Sequence, residues 1–271
     1  PDGGGARGEQ AAGDDRPSDA GELALRAAHR AIAQLQADGV RAFHECRFQE
    51  ARSAFERMRD AARGAGLGKE EGHAYRLLGN ALDKLDSPEA DVDDAFKHAL
   101  SLAHRHDDME LSFNTLQGMG SHAVKIRDLD LAEHFYLQSL TLARRVLTEH
   151  EEAVAEGNLG MCLGQAEARR PECFEHFRKA IALHTRRSSN LHTIATLHAN
   201  LASALGADGK NREAESEYTS ALDLARRAGD RRVEANILTN LANMYDSELA
   251  MPERARQCRQ ALAELRGWGG G

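Results

Sequence analysis

The sequence is poor in the residues that build β-sheets and membrane spans. Aromatic residues make up only 5% of the 271 residues, and Ala, Leu, Arg and Glu dominate, as they do in helices. There is no run of 18 apolar residues and no basic segment followed by an apolar one, so we expect neither a membrane span nor a secretory signal. We expect no β-sheet anywhere in the chain.

Cysteines are few, and their spacing suggests no pairing. The four cysteines, Cys46, Cys162, Cys173 and Cys258, are widely scattered and form no C-x-x-C pair. Three of them fall on positions that a helical pattern places in the core. This usage is typical of proteins kept reduced inside the cell rather than of disulfide frameworks. We therefore expect a cytoplasmic location.

Basic residues are too few for a nucleic-acid partner. The formal net charge is -8, and residues 1–22 supply half of it, with six acidic residues against two arginines. The rest of the chain is only mildly acidic. A nucleic-acid binder needs a basic stripe to use the charge of the phosphates, so we expect neither DNA nor RNA as a partner.

The chain also lacks the residue groups that carry out catalysis or bind metals. No nucleophile stands beside a base, and the glycine runs at 3–5 and 269–271 flank no strand and open no helix, as a phosphate-binding loop would. The thirteen histidines form no set with zinc spacing. Their densest cluster falls at a predicted helix end and the following turn: His104, His106, Asp107 and Asp108. We expect no enzymatic activity, no cofactor and no metal.

What the chain does have is a repeat of about forty residues. A small residue recurs on the first helix of each unit with steps of 40, 41, 40, 42 and 40 residues, at Gly39, Gly79, Gly120, Gly160, Ala202 and Ala242. An Ala, aromatic, Ala series follows on the second helix, as in Ala214, Tyr218 and Ala221. A period of this size is typical of a helical solenoid, whose units bury their apolar faces by stacking on one another.

The expected fold is all-α, a superhelical solenoid of six antiparallel helical hairpins over residues 21–266. Residues 1–20 contain too few apolar side chains to fold, and we expect a disordered or extended acidic tail there, with a Gly-rich tail at 267–271. Pro88, Pro171 and Pro252 mark the same joint between the two helices of a hairpin. We expect Ser87 to cap the helix that begins at Pro88.

These repeats resemble those of tetratricopeptide-repeat (TPR) proteins. The resemblance covers residues 24–266 and depends on the small residue after leucine, as in GNLG at 157–160 and NLAN at 240–243, and on the second-helix series described above. The period near forty residues and endings such as LARRAGD at 224–230 are similar to Leu-Gly-Asn repeat adaptors and kinesin light chains. The tryptophan that the family often carries early in its first helix is missing.

The resemblance implies a protein-interaction scaffold or adaptor. In TPR arrays the first helices of the hairpins line a concave groove, which would bind a peptide or a partner helix here, within a larger assembly. A cytoskeletal or ciliary location follows from the adaptor resemblance. The alternative is a regulatory, peptide-sensing TPR module of a signalling protein.

Polar residues on the first helices are the candidate groove-lining residues. The partner-binding candidates are Arg76, Asn80, Asn114, Gln117, Asn158, Asn200, Asn236, Asn240 and Asn243. Asn158, Asn200 and Asn240 occupy the same position in three successive units. An amide carries donors and an acceptor, so a row of amides can pair with the backbone of an extended peptide.

Each of these interpretations has an alternative. The asparagines can instead hydrogen-bond adjacent helices and fix the packing of the repeats. Arg76 and Asn80 match half of the clamp that binds a C-terminal carboxylate in chaperone-type TPR proteins, but Gly118 stands where the next asparagine belongs. Arginine pairs such as Arg144-Arg145 and Arg226-Arg227 fall at helix ends, where they complement the helix dipole or form a basic ridge for an acidic partner.

Overall fold

The fold is a series of helices joined by short turns. The computed structural model describes residues 19–187 and 190–267, and this part of the chain contains no strand. Its helices, apart from a 3-10 turn at Glu167–Arg169, are α1 (Asp19–His44), α2 (Phe48–Gly64), α3 (Gly68–Lys84), α4 (Glu89–Arg105), α5 (Met109–Lys125), α6 (Leu129–Val146), α7 (Glu149–Leu163), α8 (Arg170–Arg187), α9 (Leu191–Ala207), α10 (Asn211–Ala228), α11 (Arg231–Ser247) and α12 (Pro252–Gly267).

The helices pair in chain order into six hairpins, which confirms the predicted all-α solenoid. Within each pair the two helices pack along their length, and each hairpin packs on the next through its second helix, as α2 does on α3. Most of the predicted acidic tail, residues 1–18, lies outside the described residues, and α1 already begins at Asp19. Trp268 and the glycines of the predicted Gly-rich tail after it also lie outside them.

The recurrent small residue lets an aromatic ring of the second helix approach the first helix closely. A Cβ atom added to Gly39 would lie 2.5 Å from the Phe55 ring, and one added to Gly120 would lie 2.6 Å from the Tyr136 ring. Both distances are shorter than real Cβ contacts, because protein interiors are packed without spare volume. The spacing of the four glycines Gly39, Gly79, Gly120 and Gly160 thus reflects a ring contact repeated in four of the hairpins.

The core consists of two apolar clusters along the chain. One extends from Ile32 to Met119 and the other from Phe113 to Ala255. In the first hairpin the predicted second-helix residues Ala51, Phe55 and Met58 are all buried. Cys162 and Cys173 are also buried, which raises the pKa of each thiol to about 11.

The prolines mark the start of second helices, with Pro252 as the first residue of α12, but Pro88 departs from the prediction. Helix α4 begins at Glu89, and Pro88 precedes it with extended backbone angles (φ -50°, ψ 137°). No side chain caps this helix, so the prediction that Ser87 caps it is wrong. Because α4 begins at Glu89, Ser87 lies two residues before its first turn, and its backbone N–H bonds instead to the carbonyl of Leu82 at 3.1 Å.

The His and Asp cluster at 104–108 is a helix end followed by a cap. His104 lies in the last turn of α4, and the Asp108 carboxylate accepts a hydrogen bond of 2.8 Å from the backbone N–H of Leu111 at the start of α5. Among the described residues, no group of three or more His, Cys, Asp or Glu side chains is arranged to hold a metal ion. Nor, within this part of the chain, is any helix both long enough and apolar enough to cross a membrane.

Several arginines at the ends of second helices connect neighbouring hairpins. Each pairs with a glutamate eight residues later, in the first turn of the next helix: Arg63 with Glu71 at 2.9 Å, Arg144 with Glu152 at 2.8 Å and Arg226 with Glu234 at 2.8 Å. These arginines therefore join neighbouring hairpins, a role that the sequence analysis did not predict when it suggested helix-dipole stabilisation or a basic ridge. Their exposed neighbours, such as Arg145, remain available to the solvent.

Candidate functional site

All the predicted binding residues lie on the first helices of the hairpins. Neighbouring first helices run alongside each other, α1 with α3, α3 with α5, α5 with α7, and α9 with α11. The nine candidates are distributed over them as Arg76 and Asn80 on α3, Asn114 and Gln117 on α5, Asn158 on α7, Asn200 on α9, and Asn236, Asn240 and Asn243 on α11.

Two of the candidates are engaged in packing. The Asn158 amide donates a hydrogen bond to the side-chain carbonyl of Gln117 at 2.6 Å. Gln117 in turn donates to the Ser139 hydroxyl at 2.7 Å, and that hydroxyl donates to the backbone carbonyl of Tyr136 at 2.8 Å. This chain of bonds joins α7, α5 and α6. For Asn158 and Gln117, the interpretation that the amides fix the repeat packing therefore describes what the structure shows.

Asn200 lies beside an open polar depression between α9 and α11. The depression has a volume of about 520 Å³. Its polar lining, which defines what we call the polar depression, comprises Thr196, Asn200, Ser203, Arg232, Asn236, Thr239 and Asn240. No side chain of residues 19–187 or 190–267 forms a hydrogen bond with the amide of Asn200 or Asn236. Both amides are therefore available to a ligand.

Asn240 lies beside a buried tyrosine. The Tyr218 hydroxyl interacts with the side chains of Ser203 and Asn240. Burial raises the pKa of Tyr218, and these two interactions oppose that rise. The neutral phenol therefore persists at physiological pH. It lies between Ser203 on α9 and Asn240 on α11, both of which line the polar depression.

A second, more apolar depression lies between α7 and α9. It has a volume of about 240 Å³, and we call it the apolar socket. Its aliphatic walls come from Val154 and Met161 on α7 and from Leu197 on α9. Two histidines, His184 and His192, also line it.

Asn200 is where these depressions meet. It lines the polar depression, the apolar socket and a third depression of about 340 Å³ that includes Gly160, Met161 and Gln165. Thr196 is shared by the first two. The three depressions therefore form one continuous surface over α7, α9 and α11, which we call the groove. Asn243, although exposed, does not line it.

The groove carries no acidic side chain. Although the chain has a net charge of -8, no aspartate or glutamate lines any of the three depressions, and Arg232 is their one permanently charged lining residue. Asp230, just before α11, is engaged elsewhere, because its carboxylate accepts from the Val233 N–H at 2.9 Å and contacts His192. A surface of this kind suits a neutral or negatively charged ligand.

The candidates of the N-terminal half do not join this groove. The Arg76 Nε is buried without a hydrogen-bond partner among the described residues, and burial lowers the pKa of its guanidinium, an effect that the charge of Glu110 opposes. Asn80 lines a separate cavity of about 170 Å³ with Val40, Phe43 and Leu77. Asn114 is half-buried on α5.

Gly118 has a packing reason for being a glycine. A Cβ atom there would lie 2.7 Å from the Phe96 ring and 3.1 Å from the Asn80 side-chain oxygen. An asparagine at this position would collide with both groups. The carboxylate clamp that Arg76 and Asn80 half match is therefore blocked by the packing of the Phe96 ring.

Comparisons with known proteins find likeness in structure but not in sequence. No protein-family model and no curated protein matches the chain. The crystal structure of BtubC (BKLC) from P. vanneervenii superposes with a TM-score of 0.68 at 16% identity, covering 93% of each chain. The apo form of RapI gives a TM-score of 0.65 at 11% identity, covering 87% of this chain and 97% of RapI.

A third structure is described by its own name as built of TPR-like repeats. It is a putative kinesin light chain from Podosopora anserina, with a TM-score of 0.57 at 12% identity, covering 73% of this chain and 97% of that one. The chain has a TPR-like fold. At these identities the likeness shows the fold alone, so the function of this TPR-like solenoid depends on its own residues.

Several residues of the groove were missed by the sequence analysis of this TPR-like chain. Thr196 and Ser203 lie four residues before and three residues after Asn200, and Arg232 lies four residues before Asn236. Residues three or four apart share a helix face, so this spacing was a usable signal. Met161, three residues after Asn158, follows the same rule. His184, on a second helix, gave no such signal.

Proposed function

We propose that the protein is a protein-interaction adaptor that binds an extended peptide segment in the groove over α7, α9 and α11. The observation that carries this proposal is the position of Asn200 at the junction of three depressions, with the amides of Asn236 and Asn240 on the facing helix. The site is therefore narrower than the full row of candidates and lies in the C-terminal half of the solenoid.

The amides of the groove would pair with the ligand backbone. Each asparagine side chain offers two donors and one acceptor, which match the carbonyl and N–H groups of an extended chain. Because these asparagines stand on packed helices, the protein backbone loses little conformational freedom when a peptide binds. Arg232 adds a positive charge at the edge of the polar depression and favours a ligand that is not basic.

The proposal extends to a role within a larger assembly, with a cytoskeletal or ciliary location. Its support is the likeness in fold to a structure named as a putative kinesin light chain. Co-sedimentation of the purified protein with assembled microtubules, with and without its captured partner, tests this part separately.

The test of the groove is a pull-down from native cell extract with a triple variant, Asn200→Ala, Asn236→Ala and Asn240→Ala. We expect this variant to lose the partner that the wild type captures, because three backbone-pairing amides are removed. The matched control is Thr141→Ala, Thr219→Ala and Ser220→Ala, which changes exposed residues of the second helices α6 and α10. Circular dichroism verifies that both variants keep their helix content. A partner retained by the groove variant contradicts the proposal.

A further inference from the structure

The apolar socket differs from the polar depression beside it in having aliphatic walls. Met161 on its wall is 44% exposed, whereas Leu159 and Leu163 of the same helix are buried. Val154 and Leu197 complete an aliphatic surface around a volume of about 240 Å³. Of these three side chains only Met161 is exposed, since Val154 is half-buried and Leu197 is buried, so an apolar group that covers Met161 gains a favourable free energy of burial.

The socket lies where α7 and α9 approach each other at a glycine. Gly157 faces α9, and a Cβ atom there would lie 3.0 Å from a methyl carbon of Leu197. A side chain at position 157 would therefore crowd Leu197. Gly157 and Leu197 both line the socket, with Met161 one turn further along α7.

The socket is continuous with the row of amides. It shares Thr196 and Asn200 with the polar depression, so a chain whose backbone pairs with Asn200 passes directly over the socket. Side chains of an extended peptide alternate in direction, so one of them points into the helices at this place. A charged side chain there would lose its hydration without an opposite charge, because no Asp, Glu, Lys or Arg lines the socket.

The histidines at the socket do not make it polar at neutral pH. His184 is only 3% exposed, and its burial, with a smaller effect of the neighbouring His150, lowers its pKa. His192 contacts the Asp230 carboxylate. The rest of the lining is formed by the neutral His184 ring, by aliphatic groups and by the uncharged polar side chains of Asn158, Thr193, Thr196 and Asn200.

We propose that the apolar socket binds one large aliphatic or aromatic side chain of the peptide ligand, as the anchor that sets its register in the groove. This inference rests on the proposed function, because it assigns the side chain of a peptide whose backbone pairs with Asn200, Asn236 and Asn240. The amides tolerate many sequences, and the socket supplies the selectivity that they lack.

The test uses a phage-displayed library of random dodecapeptides, selected on the purified wild-type protein. We expect the selected peptides to share one large apolar residue at a fixed position. Fluorescence anisotropy with a labelled selected peptide then compares two variants, Met161→Glu in the socket and Leu137→Glu on α6. Both wild-type side chains are 44% exposed, and Leu137 lines none of the depressions described above. We expect Met161→Glu to weaken binding by about tenfold or more and Leu137→Glu to leave it unchanged.

A double-mutant cycle shows whether the anchor occupies the socket itself. Replacing the apolar residue of the peptide by alanine weakens binding to the wild type, but adds little further loss with Met161→Glu if both changes remove the same contact. The anchor proposal is overturned if the selected peptides share no apolar position. It is also overturned if Met161→Glu and the wild type bind the peptide with equal affinity.

The two proposals fail in different ways. If the triple variant of Asn200, Asn236 and Asn240 loses the peptide while Met161→Glu keeps it, the groove stands and the socket is overturned. If neither variant weakens binding, or if the wild type selects no peptide at all, both proposals are overturned.

Discussion

Single residues in the left-handed backbone region close most of the turns. Residues with side chains occupy it between the two helices of several hairpins, at Cys46 (φ 58°), Asp86 (φ 51°), Arg127 (φ 69°) and Ala250 (φ 50°). Glycine takes the same region elsewhere, at Gly66, Gly209 and Gly229. The left-handed conformation costs about 1–2 kcal/mol for a residue with a side chain. The turn geometry therefore matters enough for the fold to accept this cost several times.

Gly229 provides a direct measure of that cost. It ends α10 at φ 67°, and no atom lies within 4 Å of a Cβ atom added there, so Gly229→Ala changes only the backbone preference. We expect Gly229→Ala to lower the free energy of unfolding by about 1 kcal/mol, measured by urea denaturation. Gly64→Ala, which also has open space but no positive φ, is the control and should not destabilise the protein. Equal losses for the two variants contradict this explanation.

His184 makes stability depend on pH. Because burial lowers its pKa below the ordinary value of 6.5, the unfolded chain binds a proton at a higher pH than the folded protein does. Its contribution to stability is therefore complete above pH 6.5 and falls as the pH decreases through 6.5 towards the lowered pKa. Thermal unfolding from pH 8 to pH 5 measures this, with His184→Gln as a variant that lacks the titrating group. We expect the melting temperature of the wild type to fall more steeply on acidification than that of His184→Gln, and parallel curves would contradict the prediction.

At the scale of the helices, amide side chains serve two purposes that look alike in the sequence. Asn158 and Asn200 occupy the same position in successive units, yet Asn158 bonds to Gln117 while Asn200 lies at the junction of the depressions. The difference depends on the distance to the neighbouring helix. Helix α7 packs against α5, whereas the apolar socket separates it from α9.

Asn158 distinguishes packing from binding. We expect Asn158→Ala to lower the free energy of unfolding by about 1 kcal/mol, because Gln117 loses a half-buried hydrogen-bond partner. Asn158 also lines the apolar socket, but its amide donates to Gln117, so the same variant should lose less affinity for a peptide selected on the wild type than Asn200→Ala does. Asn200→Ala should do the opposite and weaken peptide binding with little effect on stability. Urea denaturation and fluorescence anisotropy on both variants test whether Asn158 serves packing and Asn200 serves binding. A loss of binding with unchanged stability in Asn158→Ala would contradict the packing role of Asn158.

The elements that sequence could predict are those fixed within one hairpin. Gly39 and Phe55, or Gly120 and Tyr136, are close in sequence and repeat with the period, so the ring contact could be predicted from spacing. The bond from Asn158 to Gln117 spans 41 residues, and it depends on how one unit stacks on the next. Likewise, serine is a residue type that commonly caps the N-terminus of a helix, but α4 begins two residues after Ser87. The position of the groove also depends on how the hairpins stack. The sequence could therefore predict which residue types line it, but not which of the candidates come together.

At the scale of the whole molecule, charged groups at the junctions between hairpins add to the apolar contacts. Glu156 on α7 is fully buried, and it accepts hydrogen bonds from Arg144 and from His176, both at 2.5 Å. Burial alone would raise the pKa of this carboxyl, but the partners His176 and Arg144 hold it below its usual value. The glutamate therefore stays charged in the core and joins α6, α7 and α8.

A second buried pair lies where the two core clusters meet. Asp83 at the end of α3 contacts the His122 Nδ1 of α5 at 2.6 Å, and both side chains are buried. Lys125 also bonds to the backbone carbonyl of Asp83. The other ring nitrogen of His122 has no partner among the described residues, so His122 depends on Asp83 alone. In a solenoid, stability is approximately a sum of units and interfaces, so weakening one interface can uncouple the two sides.

Asp83→Ala should therefore separate the unfolding of the two halves. Removing the carboxylate leaves a buried histidine unpaired, which we expect to cost about 1–3 kcal/mol at this junction. Hydrogen exchange followed by mass spectrometry in increasing urea should show residues 19–105 losing protection before residues 149–267, whereas the wild type loses both together. Asp93→Ala, which removes an exposed pair with Lys97 on α4, is the control and should unfold as the wild type does. If Asp83→Ala still unfolds in one step, the junction is not the weak point, and coupling between the halves must come from the apolar contacts of α4 with α5.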